Sequence, residues 1–197
     1  LGALAEHDFG AGRDHDNLIY VNGGASGIGG GVITAGSLLG GASGHAGELG
    51  HVRVSSSSVL DSAGIPGTLE AEVSRAELMD ALDLSRADAV EFEAALLADR
   101  SPKVRAIAAR QLGHLATALA AAINLFNPEV IALGGFLAAL QAYDPEGLLD
   151  AVSASALAPS RDAVKIVPAE LGSDLLMIGA AGLAFRPLLE DPASLAR

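Results

Sequence analysis

Residues 16–34 read DNLIYVNGGASGIGGGVIT. A β-rich run at 16–22 leads into the glycine-dense segment 23–31, and GVIT resumes strand character before the turn Ala35-Gly36 and the short run SLL. The pattern predicts strand, glycine loop, strand, turn and strand. Two readings of the loop stay open. Its backbone N–H groups can converge on an anion, as phosphate-cradling loops do, with the Ser26 hydroxyl added. It can equally be a tight glycine-rich hairpin with bulges and no ligand.

Working outward, residues 1–12, LGALAEHDFGAG, predict a helix closed by Gly10 and Gly12. The sequence starts at Leu1 inside that pattern, so the expectation is a fragment whose upstream part is missing. Downstream, the pattern is helical from Leu69 to Leu97 with a break near residues 83–85, where Ser85 offers an N-cap. Ser101 and Pro102 start the best-defined helix, in which Val104, Ile107, Leu112, Leu115, Leu119, Ile123 and Phe126 repeat at helical spacing. NPE ends it, because the residue before a proline is pushed out of helical geometry. VIALGG then reads as a buried strand entering a Gly134-Gly135 turn and the helix FLAAL. AVKIVPAEL and GSDLLMIGAAGLAF repeat the strand and helix order, with Ser173 as the expected cap. An α/β fold with a mixed sheet and flanking helices follows, its early strands antiparallel and its later ones linked through helices.

The 197 residues carry 24 acids against 12 bases, a net charge of -12 that repels a phosphate backbone. An apolar content of 50% is enough for a sizeable core. The absence of cysteine rules out disulfides and thiolate metal sites and fits a cytoplasmic protein. The longest apolar stretch, residues 115–126, is too short to span a bilayer, so no membrane is expected.

Residues 47–51 read GELGH and place Glu48 and His51 three apart, with Glu70 further on in GTLEAE. The flanking Gly47 and Gly50 argue against a helical zinc motif, and no nucleophile is paired with the histidine. Two readings remain: a polar loop in solvent, or recognition of a polyol, with carboxylates accepting from hydroxyls and an imidazole doing either job. The ALGG turn, residues 132–135, is a usual resting place for a nucleotide, and also simply how a strand becomes a helix.

Taken together, residues 9–54 and the segments NPEVIALGG and LGSDLLMIGAAGLA resemble the ROK family (repressor, open reading frame, kinase) over nearly all of the chain. The resemblance implies the C-terminal lobe of an actin-like ATPase, ribonuclease-H-like fold, with residues 70–101 as a helical excursion within it. It implies a sugar grip by Glu48, His51 and Glu70, a phosphate loop at Gly24, Ala25, Ser26 and Gly27, and a nucleotide turn at Gly134 and Gly135. The family zinc loop reads C-x-C-G-x-x-G-C-L-E. Here DSAGIPGTLE puts Asp61, Ala63 and Thr68 where the cysteines stand, and of the four zinc ligands only His51 is kept. The family's catalytic aspartate would lie upstream of Leu1, so no catalytic residue is expected in this chain.

The leading expectation is a sugar-sensing, self-associating domain of a ROK-type repressor, because the loop reads GGASGIGGG where the kinases read GTGIGGG and because the zinc loop has drifted. It would act as a homodimer or higher homo-oligomer and touch DNA only through a missing N-terminal helix-turn-helix. The alternatives are the C-terminal lobe of a glucokinase-like sugar kinase using ATP, and a structural partner that binds nothing. No cofactor is expected beyond ATP in the kinase case, and no zinc. A structural zinc contributes on the order of 10 kcal/mol or more, so chelation is a sharp test of the lost thiols. EDTA should leave the melting temperature unchanged; a marked drop would restore the metal.

Overall fold

Strand β1 (Leu18–Gly24) and strand β2 (Gly27–Thr34) form an antiparallel hairpin in register from Leu18↔Ile33 to Gly24↔Gly27. Of the segment expected as a loop, only Ala25 and Ser26 make the turn. β1 is a central strand, and its ladder with β2 takes in the glycines on both strands and overrides their poor strand propensity. The two-residue β3 (Ser37–Leu38) pairs with β2 at one edge. On its other side β1 pairs in parallel with β4 (Val130–Gly135), which pairs in parallel with β5 (Lys165–Pro168). The mixed five-stranded sheet therefore runs β3-β2-β1-β4-β5, as the pattern of early antiparallel and later helix-linked strands predicts. The computed structural model describes residues 1–190.

Alternation along the strands divides the core between two faces. Ile19, Val21, Val32, Ile131 and Leu133 point to one face, Leu18, Tyr20, Ile33, Val130 and Ala132 to the other. The second face is covered by α1 (Gly2–Phe9), with Ala3 buried against it, and by the start of α9 (Leu175–Glu190). The first face carries the larger layer, formed by α2 (Leu69–Glu72), α3 (Arg75–Ala81), α4 (Ala89–Ala98), α5 (Pro102–Phe126), α6 (Phe136–Tyr143) and α7 (Pro145–Ser153). The short α8 (Ala158–Ala163) leads into β5. α5 is long and apolar enough to cross a bilayer, but 56% of its apolar window is buried inside the fold. Its Leu115, Leu119 and Ile123 are core residues.

Helix ends follow local chemistry. Ser101 caps α5 through the Val104 amide with Pro102 in the first turn, as expected. Asn127 leaves the helical region through the left-handed one, which Asn tolerates better than most residues, and Pro128 follows. Two expected caps are corrected. α4 is capped by Asp88 rather than Ser85, because Asp88 and Glu91 form a reciprocal capping box. Ser173 lies inside a 3-10 turn (Gly172–Asp174) that feeds α9. Helices α7 and α8 fall where the periodicity gives no element. Asp144 caps α7 ahead of Pro145, a start signal present in the sequence.

Replacing Asp88 with alanine should cost about 1 kcal/mol and lower the melting temperature by about 2–4 °C. Ser85→Ala should leave it unchanged; equal effects in thermal melts would contradict the Asp88 cap.

Candidate functional site

GELGH folds as a 3-10 turn (Leu49–His51) that Glu48 precedes. Leu49 and Gly50 are buried beneath it, while Glu48 is exposed and makes no hydrogen bond among the described residues. His51 Nδ1 lies 2.8 Å from Asp61 Oδ2. The same Asp61 oxygen accepts from the Thr68 hydroxyl at 2.8 Å, and Oδ1 accepts from the amides of Ala63 at 2.9 Å and Ile65 at 2.8 Å. The side chain of Asp61 is inaccessible to solvent. One carboxylate thus gathers His51 and the loop through Ile65 and Thr68 around itself.

Thr68 is fully buried and caps α2 by accepting from the Ala71 amide at 3.3 Å. Glu70 sits in the first turn of that helix, so the cap that Asp61 holds also orients Glu70. Glu70 Oε2 accepts from the Ile28 amide of β2 at 2.9 Å, and Oε1 accepts from the Ser62 amide at 3.0 Å and the Ser62 hydroxyl. This contact explains Gly27: a Cβ there would stand 2.1 Å from Glu70 Oε2. The expected grip and the expected phosphate hairpin are therefore joined at one backbone position.

The charges are mutually adjusted. The hydrogen bond from His51 to Asp61 raises the imidazole pKa against the effect of desolvation, and the nearby charges of Asp61, Glu70 and Glu48 raise it further. Desolvation pushes the Asp61 carboxyl up, but donors at Ile65, His51, Thr68 and Ala63 outweigh it and hold it at about 2. Desolvation likewise raises Glu70, and the Ser62 and Ile28 donors with His51 bring it below the ordinary carboxylate value. His51 therefore lies in the field of both Glu48 and Glu70.

The glycine turns meet on the other side of the hairpin. Gly23 pairs with Gly135 across β1 and β4. Gly135 has φ +60°, and a Cβ on it would stand 2.0 Å from the Gly23 carbonyl oxygen, so only glycine fits there. Gly24, Ala25, Gly135 and Phe136 border a cavity of about 250 Å³ whose far wall is Arg75 and Phe92. Arg75 stacks 4.8 Å from the Phe92 ring centroid and donates to the Ala87 carbonyl at 2.8 Å. Ser26, at the exposed tip of the hairpin, is not among the residues bordering this cavity.

A tetrahedral zinc does not fit the residues standing at its family positions. Ala63 offers a methyl group, both Asp61 oxygens are taken by donors, and His51 Nδ1 is spent on Asp61. Among the described residues no three His, Cys, Asp or Glu side chains gather as a metal would need. In the sequence Asp61 and Thr68 stand only where thiols are lost, and Ser62 carries no motif. The signal was present: an Asp two residues before Ala63, ahead of Gly64, is an Asx-turn pattern, in which the carboxylate binds the chain just beyond it.

A sequence model described as the ROK family matches residues 1–186. The chain belongs to the ROK family. A glucokinase of Thermotoga maritima is 37% identical over 150 residues, covering 67% of this chain and 46% of that protein. The xylose repressor of Bacillus subtilis is 27% identical over 190 residues, covering 96% and 49%. Among solved structures, a ROK family transcriptional regulator, homolog of the E. coli MLC protein, superposes with TM-score 0.75 at 27% identity, over 91% of this chain and 48% of that one. A ROK family glucokinase from Streptomyces griseus, in complex with glucose and AMPPNP, gives 0.70 at 27%, over 92% and 64%. This ROK chain has the actin-like ATPase fold expected from its motifs, and it spans about half the length of the first curated relatives it matches. Those relatives comprise repressors and glucokinases.

The shifts at Asp61 and His51 give the ROK loop a stability window. Asp61 is lowered from 3.8 to about 2, so its contribution is complete above about pH 4 and is lost as pH falls through 2. His51 is raised above 6.5, so its contribution is complete below that and is lost as pH rises through the folded value. The melting temperature should plateau between the two, and Asp61→Asn should lower the plateau and flatten the acid limb. An unchanged acid limb in that variant would contradict the assignment.

Proposed function

We propose that this chain is the sugar-sensing, effector-binding and self-association domain of a ROK-family transcriptional repressor. The observation that carries the reading is the turn that sets Glu48 next to His51 and the Asp61–Thr68 link from His51 to the helix of Glu70, with Glu48 exposed and unpaired and His51 anchored through one ring nitrogen only. Carboxylates and a half-free imidazole match the alternating donors and acceptors of a hexose or hexose derivative. Asp61 and Glu70 are held below ordinary carboxylate values, which suits hydrogen-bond acceptors and not general bases. The site as built favours gripping a sugar over activating its hydroxyl.

Further support comes from the chain's own departures from the kinases it resembles, the GGASGIGGG hairpin and the loop without thiols. With a net charge of -12, DNA contact belongs to a separate N-terminal segment, and self-association would set the spacing of two such segments. A cytoplasmic setting belongs to the same reading. Sugar would act by binding one arrangement of the protein better than the other.

A second reading, the C-terminal lobe of an ATP-dependent sugar kinase, is favoured by the cavity beside Gly24 and Gly135. It opens at the C-terminal ends of β1 and β4, where α/β sheets receive nucleotides. There Gly24 and Ala25 would face phosphate, while Ser26 and Gly27 of the expected phosphate loop stand outside the cavity lining.

Calorimetric titration of the full-length protein with hexoses, N-acetylated amino sugars and ATP separates the two. The repressor reading expects sugar binding without ATP turnover. Glu48→Gln should weaken it about ten- to a hundredfold, the loss of one hydrogen bond to a charged acceptor. Sugar-dependent ATP turnover would favour the kinase, and no binding of any sugar would sink both.

A further inference from the structure

We infer that Asp61 is a positioning residue that replaces a metal: it fixes the tautomer of His51, so that the histidine offers a sugar hydroxyl an acceptor at Nε2. The inference rests on the sugar-site reading above. Asp61 makes four hydrogen bonds, two on each oxygen: it accepts from Thr68, Ala63 and Ile65 and meets the Nδ1 of His51. Two of those donors are backbone amides, which can only donate, so Oδ1 is committed as an acceptor. The Thr68 oxygen already accepts from the Ala71 amide, which leaves its proton for Oδ2. A carboxylate so surrounded is ionised and carries no proton to give. The proton between His51 and Asp61 therefore sits on Nδ1, and neutral His51 keeps its lone pair on Nε2.

The same carboxylate reaches Glu70. Through Thr68 it holds the first turn of α2, where Glu70 is placed against Ile28 and Ser62. Asp61 thus aligns an imidazole acceptor and a carboxylate acceptor from a single buried point. Both should meet hydroxyl donors, which suits neighbouring sugar hydroxyls better than a carbonyl or an acidic substituent.

The test reads the tautomer and the affinity separately. Long-range ¹⁵N–¹H NMR of the full-length protein without ligand, at a pH where His51 is neutral, should show Nδ1 protonated and Nε2 bare. In Asp61→Asn the pattern should change to Nε2–H or a mixture of tautomers, and the affinity for the sugar bound by the wild type should fall at least tenfold. Thr68→Val removes a loop donor without touching His51. It should lower the melting temperature while leaving the His51 tautomer unchanged and the affinity reduced less than in Asp61→Asn. Should Asp61→Asn fail to fold, the wild-type tautomer and the Thr68→Val variant decide. A wild-type proton on Nε2, an Asp61→Asn protein with unchanged tautomer and affinity, or a Thr68→Val loss of affinity as large as that of Asp61→Asn would overturn the inference. A wild type that binds no sugar but shows the Nδ1–H tautomer would overturn the sugar reading and the acceptor role with it, leaving Asp61 as the anchor of a loop.

Discussion

The carboxylate of Asp61 is the constraint on which the site depends. It is closed to solvent and saturated with donors from three places along the loop, which backbone bonds such as that from the Leu69 amide to the Val52 carbonyl also tie together. His51 ends the turn that follows Glu48; Ala63 and Ile65 belong to the loop tip; Thr68 begins the helix that carries Glu70. A metal would hold such a loop by coordination. Here one ionised acceptor does so by hydrogen bonds, and it can only work where the loop backbone turns back on itself, as it does at Asp61 and Ile65.

The sheet supplies the rigid frame beneath this loop. β1 is buried between two partners, and its hairpin with β2 presents the Ile28 amide to Glu70. Glu70 therefore links the loop to the most central part of the fold. On the far side of the hairpin, Gly23 and Gly135 pass so closely that a side chain on Gly135 would strike the neighbouring backbone, and the cavity opens beside them. Glu70 and the glycine turns thus meet at the one hairpin that Ala25-Ser26 closes.

Much of this was legible in residues alone. Helix α5 announced itself through Ser101, Pro102 and the apolar repeat, and β1 and β4 through their β-branched runs, because burial imposes a period that composition records. The family motifs singled out Glu48, His51 and Glu70, of which Asp61 and Thr68 link the last two. What could not be read were choices made by tertiary contacts. The glycines of residues 23–31 look like a loop by propensity, yet the hairpin ladder between β1 and β2, with β4 on the far side of β1, draws them into strands. Ser85 and Asp88 are both good caps, and only the reciprocal bond with Glu91 selects Asp88. Asp61 was visible as an absent thiol, and its positive role needed Thr68 and His51 brought together from seven and ten residues away.

The most direct measurement is a crystal structure of the full-length protein with its sugar bound, with an anomalous scan at the zinc edge. The expected result is hydroxyls within hydrogen-bond distance of Glu48, Glu70 and His51 Nε2, the His51 to Asp61 contact intact, and no anomalous peak beside them. A zinc on His51 Nδ1, or a sugar bound away from these three side chains, would contradict it.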